Sequence, residues 1–368
     1  MHRRVRATAR ASGSRSAGRP RWNAAARTVV AVLLLALVAC ASEPRAHTSL
    51  TSDPRLGADV EVREARLAND FVLLTMIIPR QPPGPKPVLI EAGSRDPAAI
   101  VGANGELLRR GVIVAHFQNN WQPLREAFPP AQAMPDRPPV GRPGDTNVAA
   151  GKAVAPERPG PKPAEPQTVG SWLLAAPRPG IVGRSYFQFV AVSAHTSVPA
   201  VVEHLGTLAE VDPRRIAIIG RSTGGFVVLE ALAQEPRLAV GLVRVACGDY
   251  HDFLQKSSLA LAGNPRWLVD GKIVLDADYE AELRVREPIR TAGRLPPRPL
   301  LLQNGGRDPA MPTSCALGTA RVFERAYALQ GLPERFRFIL WDDRGHDLGP
   351  DAQAEEIRWC ERWLLEER

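Results

Sequence analysis

Ser222 is the residue whose surroundings most directly suggest chemistry. It stands in Gly220-Arg221-Ser222-Thr223-Gly224, between the apolar run Ile216–Ile219 and an apolar-periodic stretch that begins at Gly225. The run reads as a buried strand and the stretch as a helix. A glycine two residues away on each side lets strand turn into helix so sharply that the serine is held in a strained, exposed position. The helix N-terminus then offers backbone N–H groups, that of Thr223 first, to a negative charge developing beside the serine. Such a serine suits attack on a carbonyl carbon. Its hydroxyl needs a base to take the proton, and an imidazole base needs a partner to fix its tautomer. Downstream of Ser222 the histidines are His251 and His346. The plainer reading of the same pentapeptide is a βα turn with a serine helix cap.

In its strand–turn–helix context this stretch resembles the nucleophile elbow of the α/β-hydrolase fold, with Ser222 as nucleophile. The resemblance spans about residues 60–366 and implies the chain order serine, acid, histidine. His346, in Asp342-Asp343-Arg344-Gly345-His346-Asp347, lies just beyond the last expected strand, where the resemblance puts the base. His251 precedes any plausible acid strand and reads as a polar cap residue, and Asp342 and Asp343 as solvated loop charges. Gly305-Gly306-Arg307-Asp308-Pro309-Ala310-Met311-Pro312 resembles the Gly-x-x-Asp-x-x-x-Pro motif of dienelactone hydrolases and of prolyl oligopeptidase catalytic domains. That implies Asp308 as the acid, with Asp249, at the end of the sixth strand, as runner-up. The oxyanion hole is expected from the Thr223 N–H and from the loop after the third strand, Gly93-Ser94. There the chain reads Glu91-Ala92-Gly93-Ser94, which departs from the His-Gly-Gly-Gly pattern of one lipase branch. Arg221 reads as a surface arginine, the alternative being a preference for acidic substrates.

The resemblance implies a serine hydrolase that cleaves an acyl ester through an acyl-enzyme, with no metal and no organic cofactor. The expected substrate partner is a small-molecule ester or a short peptide. Two other functions stay open. One is a small peptidase of the prolyl oligopeptidase type, without the large propeller for which residues 1–57 leave no room. The other is a catalytically silent envelope lipoprotein that uses the fold as a binding scaffold. An intact Ser/Asp/His set argues against the scaffold.

Strands and helices alternate along the chain in the way these residues need. Strands are expected at 60–67, 71–78, 88–92, 111–116, 216–219, 238–246, 299–303 and 336–341. Helices are expected at 98–110, 190–210, after Ser222, at 316–330 and from Pro350. The helix at 190–210 contains Pro199, which interrupts it or begins its regular part. This alternation specifies an α/β fold with a doubly wound, mainly parallel sheet. Two insertions are expected in it. Residues 122–169 are too rich in proline for any hydrophobic period to survive, and read either as a flap over the site or as a solvated loop. Residues 250–292 are charge-rich and helical, and sit where relatives insert a cap.

Of the 368 residues, 44% are hydrophobic, enough for a substantial core, and the formal charge is +8. Residues 1–39 hold eight arginines, no lysine and no acid, which leaves the rest of the chain neutral overall. Nucleic-acid binding therefore has no electrostatic support. The arginines precede Thr28–Ala39, an apolar run short for a bilayer span. Together they read as a secretory signal. Leu37-Val38-Ala39-Cys40 resembles a bacterial lipobox, which implies lipidation of Cys40 and a membrane anchor. The expected organisation is a signal at 1–39, a tether at 40–57 and a hydrolase domain at 58–368, in the cell envelope, at the outer membrane if the cell has two. An exported chain permits disulfides. Of Cys247, Cys315 and Cys360, the expected pair is Cys315 with Cys360, and Cys247 reads as a buried small residue.

Overall fold

The computed structural model describes residues 60–93, 97–120, 187, 189–262, 268–269, 272–273 and 277–366. All of them fall within one compact unit inside Pro44–Arg368. Cys40, Ser94 and the proline-rich stretch 122–169 lie outside the described residues.

Eight strands form one sheet: β1 Val60–Leu67, β2 Val72–Pro79, β3 Lys86–Ala92, β4 Ile113–Asn119, β5 Val211–Arg221, β6 Val240–Arg244, β7 Leu300–Gly305 and β8 Phe336–Trp341. Their order is β1-β2-β4-β3-β5-β6-β7-β8. The β1–β2 and β2–β4 pairings are antiparallel. Every other pairing in this sheet is parallel. The central strands are unbroken apolar runs because both of their faces are covered. Val88, Ile90, Ile216, Ile218, Val243, Leu300 and Leu302 enter one core, and Leu89, Ala217, Leu242 and Leu301 enter the other.

Among the described residues, nine α-helices accompany the sheet: α1 Pro97–Arg109, α2 Val198–Gly206, α3 Thr223–Gln234, α4 Tyr250–Lys256, α5 Ser258–Ala262, α6 Ala277–Arg286, α7 Pro288–Thr291, α8 Thr313–Leu329 and α9 Gly349–Cys360. The helix expected at 190–210 is regular only from Val198, after a π-helical stretch at Ser193–Ser197. Pro199 explains the boundary, since it has no N–H to give to a carbonyl one turn back. The Val198 N–H bonds to the Ser193 carbonyl instead, five residues back. The segment 250–292 holds α4 to α7 and a two-stranded hairpin, Leu268–Val269 with Lys272–Ile273. Its first helix belongs to the core, with Phe253 packed edge-on against Phe226 of α3 at 5.0 Å between centroids.

The disulfide joins Cys247 to Cys315, with 5.7 Å between their Cα atoms. Cys360 is a free, buried thiol. This corrects the expected Cys315–Cys360 pair, and the sheet is the reason. Cys247 and Cys315 share the core beneath α3, whereas Cys360 lies in the core on the other face. A disulfide spans only about 4–7 Å between Cα atoms, so it does not cross a packed sheet.

Candidate active site

Ser222 follows β5 directly and occupies the N-cap of α3 with φ 54° and ψ −118°. Holding a non-glycine residue in such a conformation costs on the order of 1–3 kcal/mol. Close packing enforces it. A Cβ on Gly220 would sit 2.2 Å from the Gly224 carbonyl oxygen, and one on Gly224 would sit 1.9 Å from the Ala92 carbonyl oxygen. Both flanking glycines are therefore required, and the elbow rests on the end of β3 beside Gly93. The Ser222 N–H donates to the Arg244 carbonyl at 2.9 Å, and the Ser222 carbonyl accepts from Gly225 at 2.9 Å. The turn is thus fastened to β6 and to its own helix, with Ser222 half-buried. Thr223 opens α3, in the first turn, whose N–H groups have no acceptor within the helix.

Asp308 and His346 are brought together from loops beyond β7 and β8. His346 Nδ1 lies 2.7 Å from Asp308 Oδ2. The other carboxylate oxygen, Oδ1, accepts from the N–H groups of Ala310 at 2.8 Å and Met311 at 3.1 Å. Asp308 is buried, at 4% exposure, while His346 is half-exposed. The two loops are bonded along their backbones: the Gly306 N–H donates to the Trp341 carbonyl at 2.8 Å and the Arg307 N–H to the Arg344 carbonyl at 2.9 Å. Gly305 permits this approach, because a Cβ there would meet the Gly345 carbonyl oxygen at 2.2 Å. Ser222, Asp308 and His346 thus follow the carboxyl ends of β5, β7 and β8, the edge at which α/β sheets bind ligands.

The other candidates are engaged elsewhere. Asp249 caps α4, its Oδ1 accepting from the Asp252 N–H at 2.9 Å. His251 Nδ1 lies 2.9 Å from the buried carboxylate of Glu287, ahead of α7. Asp342 and Asp343 are exposed. Ser94, expected beside Gly93 in the oxyanion hole, lies outside the described residues.

Three features were not foreseen from the sequence. Arg221 is half-buried and donates from Nη2 to the His346 carbonyl at 3.0 Å. Val245, just after β6, adopts φ 50° and packs with Leu348, two residues past His346. On α3, the buried Glu230 accepts from Tyr250 at 2.6 Å and from Arg286 at 3.1 Å, and meets His195 Nε2 at 2.8 Å. Burial opposes ionisation of Glu230, but the His195 and Tyr250 hydrogen bonds and the Arg286 charge outweigh it and hold the carboxyl below its ordinary value. These contacts join residues 20 to 125 positions apart, so only the fold creates them.

The fold defines the class: the chain has the α/β-hydrolase fold. Within that class, residues 196–367 match the model of the prolyl oligopeptidase family. Among solved structures, the chain is similar to an acetyl xylan esterase from Paenibacillus sp. R4, with 17% identity, TM-score 0.56, and coverage of 91% of this chain and 94% of that one. It is also similar to a puromycin-hydrolyzing peptidase from Mycobacterium tuberculosis, with 17% identity, TM-score 0.55, and coverage of 84% and 41%. An acylaminoacyl peptidase from Pyrococcus horikoshii gives 14% identity, TM-score 0.53, and coverage of 84% and 42%. The chain therefore spans about two fifths of the length of either peptidase. At these identities the likeness establishes the fold. No curated protein matches the chain at a significant level.

Proposed function

We propose that this protein hydrolyses an acyl ester through Ser222, His346 and Asp308. The observation that carries the reading is the 2.7 Å Asp308–His346 contact at the sheet edge that also holds Ser222 in its strained turn. His346 takes the Ser222 proton as the hydroxyl oxygen attacks the acyl carbon, and returns it to the departing alkoxide. Asp308 fixes the tautomer with the proton on Nδ1 and stabilises the imidazolium. The N–H groups of Thr223 and of Gly93 or Ser94 receive the oxyanion. Water, activated by the same imidazole, then releases the acyl group.

The match to the prolyl oligopeptidase family favours a peptide as the second substrate class. The two readings separate by kcat/KM on p-nitrophenyl acetate and butyrate against alanyl- and prolyl-p-nitroanilides. The ester reading predicts a preference for the esters that disappears in Ser222→Ala, and a larger kcat/KM on an anilide would replace it.

The envelope location is part of the proposal. The Cys247–Cys315 disulfide supports an oxidising compartment. Among the described residues no helix is long and apolar enough to cross a membrane. The resemblance of Leu37-Val38-Ala39-Cys40 to a lipobox assigns an anchor to lipid on Cys40, and incorporation of labelled palmitate that is lost in Cys40→Ala is the expected result. Equal incorporation in the variant would remove the assignment.

A further inference from the structure

We propose that Arg221 is a positioning residue that sets the His346 loop over the nucleophile. The proposal rests on the Ser222–His346–Asp308 reading above. Arg221 is the last residue of β5 and immediately precedes Ser222, yet its guanidinium reaches the backbone carbonyl of His346 at 3.0 Å. One side chain therefore ties the base to the elbow across 125 positions of sequence.

The neighbouring strand shows why this arginine is available. Arg221 pairs in register with Arg244 of β6. Arg244 is engaged by Glu356, from Nε at 2.7 Å and through a second N–H. That pair lies under α9, on the far side from the elbow helix. Two parallel neighbours of like charge are thus divided, one neutralised by a buried glutamate and one turned to the His346 carbonyl. The exposed Asp347 reports the same field: the Gly349 N–H and then the Arg221 charge hold its carboxyl below the ordinary range. On its other sides the loop is held by Val245 against Leu348 and by the backbone bond from Arg307 to Arg344. At the histidine itself, Asp308 holds the ring and Arg221 holds the backbone carbonyl.

Without the Arg221 tie, the imidazole loses its register with the Ser222 hydroxyl, which lowers the chemical step more than substrate binding. A displacement of about 1 Å at a reacting group is worth roughly 100-fold in rate. An arginine that instead bound a substrate carboxylate would act on KM and leave kcat in place.

The test uses the full-length protein in detergent, as parent, Arg221→Ala, Arg221→Lys, Arg221→Met and Ser222→Ala. It measures kcat and KM on p-nitrophenyl acetate, and the rate of fluorophosphonate labelling. Arg221→Ala and Arg221→Met are expected to lower kcat about 10- to 100-fold with KM within about twofold. Arg221→Lys should restore part of the loss in kcat. Circular dichroism identifies any variant that does not fold, and Arg221→Met, which keeps the apolar stem, then carries the comparison. Unchanged kcat in folded variants, or a loss confined to KM, would overturn the proposal. Failure of the triad reading looks different, since the parent would then label no faster than Ser222→Ala.

Discussion

Two histidine–carboxylate pairs of almost equal length differ in what their surroundings allow. His346 meets Asp308 at 2.7 Å in the loops beyond β7 and β8, and His195 meets Glu230 of α3 at 2.8 Å. The difference lies in which ring nitrogen is used and in what else holds the carboxylate. His346 uses Nδ1, so Nε2 remains for the serine. His195 spends Nε2 on Glu230, and the same atom lies 3.1 Å from the Gln234 amide. Asp308 is steadied by two backbone N–H groups, neutral dipoles that leave its charge to the imidazole. Glu230 is neutralised by the guanidinium of Arg286, which also donates to the Phe187 carbonyl. In the proposed reaction the first pair moves a proton. The second fastens α6, the π-helical stretch and Tyr250 of α4 to the elbow helix.

The largest loss of activity is expected at the first pair. His346→Ala should lower kcat/KM on p-nitrophenyl acetate by roughly 10⁴-fold or more, and Asp308→Asn should come within about tenfold of that, with unfolding midpoints near the parent's. Glu230→Gln should do the reverse. It removes the buried partner of Arg286, which keeps only its pair with the more exposed Glu282 at 2.8 Å, at a cost of about 3–5 kcal/mol measured by urea unfolding, while the folded fraction keeps its kcat. The pH dependence sharpens this contrast. The Glu230 carboxyl is held below its ordinary value of 4.5, so its ionised form contributes stability that is fully present above that value and lost as pH falls through the lower folded value. The parent should therefore lose stability below about pH 4.5 more steeply than Glu230→Gln, in melts taken from pH 3 to 6.

Smaller effects come from the hinge between the two regions. The Cys247–Cys315 bridge closes a 68-residue separation that contains the whole of α4 to α7 and the Asp308 loop. Cys247→Ala with Cys315→Ala should cost about 2–5 kcal/mol of stability in the same urea assay. Asp249→Ala removes only the α4 cap, about 1 kcal/mol. A loss of kcat there comparable to that of Asp308→Asn would transfer the acid role to Asp249.

The sequence disclosed what is local. A strand buried on both faces is an apolar run, so β3 and β5 to β8 were visible, and the two glycines around Ser222 announced the turn that their missing Cβ atoms permit. Asp308 and His346 were legible through motif and chain order, because each follows a strand end that topology brings to one edge. What stayed hidden depends on which face of the sheet a residue occupies. Cys315 and Cys360 both lie on late helices, and only the fold shows that the sheet stands between them. Likewise β5 begins at Val211 rather than Ile216, because its polar start pairs irregularly with Lys86 of β3, which no hydrophobic pattern signals. Arg221 looked like a surface charge for the same reason: its acceptor is a backbone carbonyl, which leaves no mark on residue type.

An activated Ser222 should react with a fluorophosphonate added to the full-length protein, and peptide mass mapping then locates the adduct. One adduct is expected, on Ser222, formed rapidly in the parent and absent in both Ser222→Ala and His346→Ala. A folded parent that takes up no label, or an adduct on another residue that persists in Ser222→Ala, would remove Ser222 from the nucleophile's role.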